Sequence, residues 1–460
     1  MDNKEVHETD LRSSPDYVTD QEQNVALNIN PLAEVPKGRW ERSWPTIACG
    51  AGLFSDGYLN GVIGSVSTML QLIYGDAYTS SSAKSAVPSI AFAGTPIDFL
   101  LDWVSEENRS VGAAESTGEL KTGHRNRWFI FATDFQIDLG FVISAFVPMI
   151  VVLATGESHL RAAWRICLAL GAIPPLSLLY LRIKLQEPEQ YKRNKMHKFP
   201  IKLIVRFYWW RLTVISIIWF IYVSESVLRI RITKLNVPQN FSAYSFGIFA
   251  SSWLVFILPS DAPLWKSFGM ATAINSFWLP GSFFGAFLSD WIGPKWGLIL
   301  GVFLQGIVGF AMTGAYGELN QPSRVAGFII LTGLFMALGE VGPGDNIGLL
   351  ASKLTSTPIR GQFYGIAAAW GKVGAFVGTY VFPLLIDAAG GDKVKQGQYP
   401  FWVSSSLCIF SAVVAFFGLP NVGQDMIEEE DDRFKGYLEE NGYDTSGMGT
   451  KRFHEELARS

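Results

Sequence analysis

Charged side chains are scarce in this chain. Lys, Arg, Asp and Glu make up 17% of its 460 residues, whereas an average soluble protein carries about 25%. Cysteine is also scarce, and the three present (Cys49, Cys167 and Cys408) lie in apolar stretches, which excludes a disulfide-stabilised scaffold. Hydrophobic residues make up 49% of the chain and aromatic residues 14%, and the mean hydropathy is +0.22. This composition excludes a disordered, collagen-like or nucleic-acid-binding chain.

Most of the acidic residues are concentrated at the two ends. The formal net charge is -4, but residues 1–36 hold 8 acidic and 2 basic residues, and residues 421–460 hold 11 acidic and 5 basic residues. The part between them is apolar and slightly basic. The pattern predicts a membrane protein with two acidic tails, and the run from Glu428 to Asp432 predicts a solvated part of the second tail.

Long apolar stretches support this interpretation. A transmembrane helix needs about 20 predominantly apolar residues. Candidate spans are 46–73, 128–154, 163–181, 267–288, 297–316, 325–350, 362–386 and 400–420. Two regions are ambiguous: 88–104 is short and contains Asp98 and Asp102, and 211–258 contains a polar piece. The sequence therefore predicts an all-α, multi-pass membrane protein with about ten spans.

The basic residues predict the orientation of these spans. With a cytoplasmic N-terminus, the inside segments hold 19 Lys and Arg residues and the outside loops hold 6, as the positive-inside rule requires. Both termini are then cytoplasmic. The segment 182–211 holds nine of these bases and would separate two helical bundles. The predicted organisation is a tail at 1–43, an N-terminal bundle at 44–181, the basic loop at 182–211, a C-terminal bundle at 212–420 and a tail at 421–460.

One motif between two candidate spans carries the first functional signal. The run 285–295 contains Gly285, Asp290, Gly293 and Lys295. Glycines permit close helix packing and a tight turn, and Asp290 would be favourable at the N-terminal end of the next helix. An ordinary turn requires neither this glycine spacing nor both charges. The run resembles the cytoplasmic gate motif of the major facilitator superfamily.

Four further segments narrow the resemblance. They are 54–66, 118–129, 342–348 and 360–375, the last of which begins with Arg360. Together they resemble the phosphate:proton symporter branch of the superfamily, and most closely its fungal glycerophosphoinositol and glycerophosphodiester permeases. The resemblance covers roughly 37–95 and 113–436, apart from one insert.

The resemblance implies a fold and an activity. It implies a major facilitator fold of two helical bundles in the plasma membrane, proton-coupled uptake of a small anionic phosphodiester such as glycerophosphoinositol, and no cofactor. Two alternatives remain. One is a symporter of inorganic phosphate or a small carboxylate, and the other is a shortened, transport-inactive family member that acts as a sensor or partner.

The chain departs from this family in two places. The resemblance implies twelve spans in two halves of six, but the third and most of the fourth are missing between residues 96 and 113. The segment 223–240 interrupts the seventh span and introduces Arg229, Arg231 and Lys234, which are costly inside a membrane.

Ionisable residues at membrane depth are expensive and usually functional. Lys372 is about ten residues into its span, hence ~15 Å deep at about 1.5 Å per residue. It could bind an anionic substrate or form an ion pair with a carboxylate on a neighbouring helix, and the family resemblance favours the substrate. The acids within the apolar spans are Asp56, Asp138, Glu340 and Asp345, and Asp134 is a further candidate that could face the cytoplasmic third of its helix. A carboxyl group removed from water favours its protonated form, so these residues are candidates for proton coupling.

Polar and aromatic residues complete the predicted site. Gln136, Trp219, Tyr222 and Asn346 would supply hydrogen bonds and an aromatic wall, although many membrane Trp and Tyr residues are interfacial anchors. The run 342–344 (Gly-Pro-Gly) predicts a break in its helix, and non-helical backbone at this depth is tolerated only beside protein or a water-filled cavity. The five histidines are scattered and neither a nucleotide motif nor a nucleophile–base pair is present. The sequence therefore predicts no enzyme, no metal and no nucleic-acid partner.

Overall fold

A computed structural model describes residues 39–79, 124–173, 176, 196, 199–224, 262–319, 321–387, 392–424, 426–446 and 448 of this protein. Every regular element in these ranges is a helix. The ambiguous region 88–104, the gap between 96 and 113 and most of the 223–240 insert lie outside the described residues. The count of about ten spans therefore stays a prediction.

The longer helices include one at each of the eight predicted spans, of which 163–181 is described only at 163–173 and 176. In chain order they are α1 (Arg39–Tyr74), α2 (Arg125–Ala132), α3 (Asp134–Thr155), α4 (Leu160–Gly171), α5 (Ile201–Ser224), α6 (Leu264–Asn275), α7 (Trp278–Trp291), α8 (Pro294–Leu319), α9 (Val325–Gly339), α10 (Asp345–Lys353), α11 (Arg360–Asp387), α12 (Lys393–Gly418) and α13 (Met426–Glu440). Short helical turns lie at Asp76–Thr79, Glu157–His159, Pro322–Arg324 and Thr357–Ile359.

Five of the described helical stretches are long and apolar enough to cross a membrane. They are Arg125–Thr155, Ile201–Val223, Pro294–Leu319, Ala326–Lys353 and Phe401–Gly418. Helices suit this environment because every backbone hydrogen bond is made within the segment. Helix α5 begins at Ile201, so it includes the last part of the predicted basic loop.

Helices α1 and α3 pack closely in the N-terminal bundle, because glycines face each other where the two cross. A Cβ atom at Gly57 would lie 2.1 Å from the backbone oxygen of Ile137, and one at Gly140 would lie 2.3 Å from that of Phe54. No side chain larger than hydrogen fits at such a distance. Helix α4 packs against both helices and contributes the buried Cys167.

The C-terminal bundle is built around the pairs α8–α12 and α5–α11. In the second pair, Gly371 contacts the ring of Trp219 and Gly374 contacts the backbone of Phe220. Helices α6 and α7 connect the two bundles, since α6 packs on α3 and α7 packs on α2. The bundles therefore meet along α2, α3, α6 and α7, and a cavity lies beside this contact.

The predicted break at 342–344 is a π-helical turn, Glu340–Gly344, rather than an unwound segment. Pro343 has no N–H to continue the regular ladder, and π turns occur most often at functional sites. The side-chain amide of Asn346 donates to the carbonyls of Gly342 at 2.8 Å and Val341 at 3.1 Å. These bonds satisfy carbonyl groups of the wider turn.

Part of the predicted acidic tail is the docked helix α13. Phe434 and Leu438 are fully buried, and Phe434 packs on the ring of Tyr208 in α5 with ring centroids 5.3 Å apart. Glu430 is buried as well and accepts a hydrogen bond of 2.7 Å from Arg211. The sequence did not predict this contact, because an acidic run with a few apolar residues is also typical of a solvated tail.

Candidate functional site

A cavity of about 120 Å³ lies between the two bundles. This volume exceeds the roughly 10–15 Å³ that one water molecule needs. The polar and charged residues that line it are Asp56, Thr133, Asp134, Asp138, Trp219, Tyr222, Gln305, Glu340, Asp345, Tyr364 and Lys372. They come from α1, α3, α5, α8, the π turn, α10 and α11 and the α2–α3 junction, so residues distant in the sequence face one chamber.

Lys372 and Asp56 form an ion pair inside this cavity. Their closest atoms, Nζ and Oδ2, are 3.5 Å apart, and their side chains are 14% and 35% exposed. Asn60, one turn along α1, donates to the other oxygen of Asp56 at 3.1 Å. The sequence left two roles open for Lys372, and the geometry is compatible with both: the lysine has a carboxylate partner, and it lines a chamber that an anion could enter.

The remaining four acids form a cluster on the facing elements. Carboxylate oxygens of Asp134, Asp138 and Glu340 lie within 4.8 Å of one another, close enough to hold a metal ion. Asp345 is adjacent to them, across from Asp134. We call Asp134, Asp138, Glu340 and Asp345 the acidic cluster. Asp134 and Asp138 are four residues apart on α3 and therefore share a helix face, while Glu340 and Asp345 flank the π turn.

Two hydroxyl groups donate to the acidic cluster. The Tyr222 hydroxyl lies 3.1 Å from Glu340 Oε1, and the Ser282 hydroxyl donates to Asp138. Both oxygens of Asp345 and one oxygen of Asp134 are buried with no hydrogen-bond donor among the described residues. Buried polar atoms are normally satisfied, so this part of the cluster requires a proton or another cation.

Aromatic rings form the walls around these charges. Trp219 packs edge-on against Tyr364 with ring centroids 5.3 Å apart, and Phe141 packs against Trp278 at 4.8 Å. All four rings line the cavity. The predicted aromatic wall therefore includes Trp219 and Tyr222, together with rings that the sequence did not indicate.

Two predicted substrate contacts lie outside the residues that line the cavity. Asn346 is completely buried, and in addition to its bonds within the π turn its side-chain oxygen accepts from Ser289 at 2.6 Å. Gln136 donates to the carbonyl of Phe131 at 3.2 Å. In this conformation both amides bind the protein itself. Their role toward a substrate stays a prediction.

Asp290 of the gate motif connects the two bundles. Its carboxylate accepts from the backbone N–H of Arg127 at 3.3 Å and from the side chain of Gln424 at 3.0 Å. The guanidinium of Arg127 lies 3.6 Å from the same carboxylate and 5.3 Å from the ring centre of Phe287. Asp290 therefore connects α2 to the segment that follows α12.

Glycine is favoured at Gly285 and at Gly293 of the gate motif for two different steric reasons. A Cβ atom at Gly285 would lie 1.9 Å from a carboxylate oxygen of Asp345 and 2.8 Å from Val341 Cα, so the motif packs directly against the acidic cluster. Gly293 has a φ angle of +86°, which glycine adopts without strain. Its place is the turn between α7 and α8.

The two basic residues predicted for the gate, Lys295 and Arg360, donate hydrogen bonds to carbonyl and hydroxyl groups. Lys295 donates to the carbonyl of Leu419 at 2.6 Å. Arg360 is completely buried and donates to the carbonyl of Ser352 and to the hydroxyl of Thr357, both at 2.9 Å. The two hydrogen bonds of Arg360 fix the turn between α10 and α11.

Two further residues at this end were missed from the sequence. Lys353, only 2% exposed, donates to the side chain of Asn126 and to the carbonyls of Gly423 and Gln424. Asn126 in turn donates to the carbonyl of Ser289 at 3.0 Å. Asn126 lies in one of the segments that carried the resemblance, but nothing local indicates that it meets Lys353 across the interface.

A charged chamber between two helical bundles of a membrane protein is typical of a solute carrier. Comparison with known proteins supports this class. The family described as "Sugar (and other) transporter" matches residues 261–434. The proton:xylose symporter XylE, solved with 6-bromo-6-deoxy-D-glucose, superposes with a TM-score of 0.67 at 14% identity and covers 85% of this chain and 99% of its own. At that identity the likeness shows the fold.

Relatives with higher sequence identity specify the family. The glycerophosphodiester transporter GIT2 of Candida albicans is 42% identical over 467 aligned residues, which cover 88% of this chain and 84% of the relative. The major glycerophosphoinositol permease GIT3 of the same organism is 41% identical with the same coverage. The chain belongs to the major facilitator superfamily and, within it, to the family of fungal glycerophosphodiester permeases, which confirms the resemblance read from the sequence.

Proposed function

We propose that this protein takes up glycerophosphodiesters such as glycerophosphoinositol across the plasma membrane, together with protons. The observation that carries the proposal is the ion pair of Lys372 with Asp56 in the cavity. An ammonium group held in such a chamber can bind a single phosphodiester anion. The names of the relatives, a glycerophosphodiester transporter and a glycerophosphoinositol permease, supply the substrate class.

The ion pair suggests how an anion and a proton are coupled. The substrate phosphate competes with Asp56 for Lys372. When the phosphate binds Lys372, Asp56 loses its cationic partner, and a proton taken up with the substrate replaces that positive charge. A carrier loaded with the anion and a proton has the same net charge as the empty carrier. The other predicted coupling residues, Asp138, Glu340 and Asp345, would hold protons when no other cation neutralises them.

We also propose that both termini of the chain lie in the cytoplasm. The predicted inside segments of the sequence hold 19 Lys and Arg residues and the outside loops hold 6. By the positive-inside rule, this excess supports a cytoplasmic position for both termini. Epitope tags at the two termini of the full chain should be inaccessible to antibody in intact cells and accessible after permeabilisation. Staining of either tag in intact cells would contradict this orientation.

Uptake by cells that lack their own glycerophosphodiester uptake tests the proposal. Cells expressing this chain should accumulate labelled glycerophosphoinositol faster at pH 5 than at pH 7.5, and a protonophore should abolish the uptake. Lys372→Ala should reduce uptake by about 10- to 100-fold, since a hydrogen bond to a charged group is worth about 1.5–3 kcal/mol. Lys202→Ala, at an exposed lysine of α5, is the matched control and should leave uptake unchanged.

The outcomes separate the alternatives. Uptake that ignores both pH and Lys372→Ala refutes the mechanism. Stronger competition by free phosphate than by unlabelled glycerophosphoinositol favours the inorganic phosphate carrier. Surface expression without any uptake favours the transport-inactive alternative.

A further inference from the structure

Carboxylate groups from the two bundles converge in one part of the cavity. Oxygens of Asp134 and Asp138 on α3 and of Glu340 in the π turn all lie within 4.8 Å of one another. A metal ion that binds oxygen ligands at about 2.3–2.6 Å contacts atoms on its opposite sides that are up to about 5 Å apart. One such ion therefore fits among the three carboxylates.

Asp345 brings a fourth carboxylate to the same place. The residue is 1% exposed and lies beside Asp134, and neither of its carboxylate oxygens meets a hydrogen-bond donor among the described residues. The Oδ2 atom of Asp134 is also buried without a donor. Burying an ionised carboxylate without a partner is costly. These three oxygens therefore indicate a positively charged ligand that the described part of the chain does not supply.

Two glycines leave the space in which these carboxylates approach each other. A Cβ atom at Gly344 would overlap Glu340 Oε2 and would lie 3.0 Å from Asp134 Oδ2. A Cβ atom at Gly285 would overlap Asp345 Oδ2. Because glycine has no side chain, the backbone of the π turn and of α7 comes close to the carboxylates without separating them.

Hydroxyl groups orient two of the four carboxylates. Tyr222 donates to Glu340 Oε1 at 3.1 Å, and Ser282 donates to Asp138 Oδ2. Carboxylates that bind a metal ion are commonly fixed by such hydrogen bonds from neighbouring groups. Two of the eight carboxylate oxygens are engaged in this way, and up to six remain for an ion.

The number and type of these oxygens favour Ca²⁺ over Mg²⁺ and over protons alone. Ca²⁺ takes about 6–8 oxygen ligands in a flexible geometry, whereas Mg²⁺ demands near-octahedral geometry and retains several waters. Phe141, one helical turn after Asp138, and Trp278, which packs against Phe141, offer little to such waters. A proton is shared between two oxygens at most, whereas one metal ion contacts three or more carboxylates together.

We propose that Asp134, Asp138, Glu340 and Asp345 form a binding site for one divalent cation of the size of Ca²⁺. The sequence predicted no metal because its histidines are scattered, but Ca²⁺ binds oxygen ligands and requires no histidine. Two of the ligands lie on α3 of the N-terminal bundle and two lie at the π turn of the C-terminal bundle. The ion therefore joins the bundles in this conformation, and their separation removes half of its ligands. The site goes beyond the proposed function, since it does not depend on which substrate is carried.

Binding of Ca²⁺ to the purified full chain tests the site. After treatment with EDTA, the wild type should bind radiolabelled Ca²⁺ at neutral pH, and Ca²⁺ should raise its unfolding temperature. Asp345→Asn should weaken this binding by about tenfold or more, because the charge of the ligands sets the affinity for Ca²⁺. Without Ca²⁺ the same variant should unfold at a higher temperature than the wild type, since it lacks a buried carboxylate without a donor. This second measurement shows that the variant is folded.

A second variant tests the site without removing a charge. Tyr222→Phe deletes only the hydroxyl that donates to Glu340 and should weaken Ca²⁺ binding by about 10- to 100-fold, as is typical for a group that orients a metal ligand. Glu429→Gln is the matched control: it removes an exposed carboxylate of α13 and should leave Ca²⁺ binding unchanged. Mg²⁺ should bind the wild type more weakly than Ca²⁺.

Three results would overturn the proposal. A wild type that does not bind Ca²⁺ would mean that protons alone neutralise the cluster. Ca²⁺ binding that neither Asp345→Asn nor Tyr222→Phe weakens would place the ion elsewhere on the chain. Mg²⁺ binding as tight as that of Ca²⁺ would contradict a site for a large cation. Each of these results leaves the proposed function standing, because uptake of glycerophosphoinositol and its dependence on Lys372 are measured separately.

Discussion

Replacing Gly140 by alanine should destabilise the N-terminal bundle. The added Cβ atom would lie 2.3 Å from the carbonyl oxygen of Phe54 and 2.8 Å from the backbone nitrogen of Tyr58. Both atoms belong to the backbone of α1, so no side-chain rotation relieves the overlap. Helices α1 and α3 must separate, and the neighbouring contact of Gly57 with Ile137 then loosens as well.

The expected cost follows from these contacts. Overpacking a well-packed core typically costs about 1–3 kcal/mol, whereas exchanging glycine for alanine within a helix gains about 1 kcal/mol. Gly314→Ala in α8 measures the gain from exchanging glycine for alanine by itself, because a Cβ atom there meets nothing within 4 Å. Gly140→Ala should therefore be about 1–3 kcal/mol less stable than Gly314→Ala. At about 2–4 °C per kcal/mol for an unfolding unit of about 150–250 residues, the unfolding temperatures should differ by roughly 2–12 °C.

The chain provides a built-in reporter for this measurement. Cys167 and Cys408 are both buried, and a dye that fluoresces on reaction with thiols reports their exposure as purified protein is heated. The reasoning is refuted if Gly140→Ala unfolds at the same temperature as Gly314→Ala, or above it. That result would mean that α1 and α3 do not cross at these glycines.

Three further outcomes are expected. Asp56→Asn should bind glycerophosphoinositol more tightly than the wild type in thermal-shift titrations, yet its uptake should no longer depend on pH. If the uptake still responds to pH, Asp56 is excluded as the coupling residue. Arg211→Met removes the partner of buried Glu430 at 2.7 Å and leaves it with Arg433 at 4.0 Å, so the cost should be at most about 3–5 kcal/mol, the value for an uncompensated buried charge. If Arg211→Met combined with Glu430→Leu is no more stable than Arg211→Met alone, the pair is not coupled. Lys353→Met removes charged hydrogen bonds that join both bundles. It should lower the unfolding temperature more than the control Lys435→Met, which changes an exposed residue. Equal shifts of the unfolding temperature would argue against a connecting role of Lys353.

Much of the fold was predictable because its signals are local. Apolar runs of about 20 residues predict helices because in lipid the backbone must make its hydrogen bonds within the segment. Helices lie at all eight predicted spans. The run 285–295 and the segments that begin at Phe54 and Arg360 identified the family, which the relatives confirm. Lys372 and the acids were found because charges inside apolar runs are rare.

The contacts of the site were less predictable, since they depend on helices far apart in sequence. Asn346 and Gln136 were expected to face a substrate. In this conformation their amides donate to backbone carbonyls, and their role toward a substrate stays a prediction. Glu430 was expected in solvent and is buried against Arg211. An amphipathic helix with an acidic face has the same composition as a solvated tail, so only a partner surface distinguishes them.

The sequence by itself determined the membrane class, the helices and the family, because hydropathy and short motifs are properties of contiguous residues. Only the tertiary structure decided which charges meet. It pairs Lys372 with Asp56 and gathers three carboxylates within 4.8 Å from two separate helical segments. Electrostatic interaction falls with distance and rises as water is excluded, and both depend on how the bundles pack rather than on the order of residues along the chain.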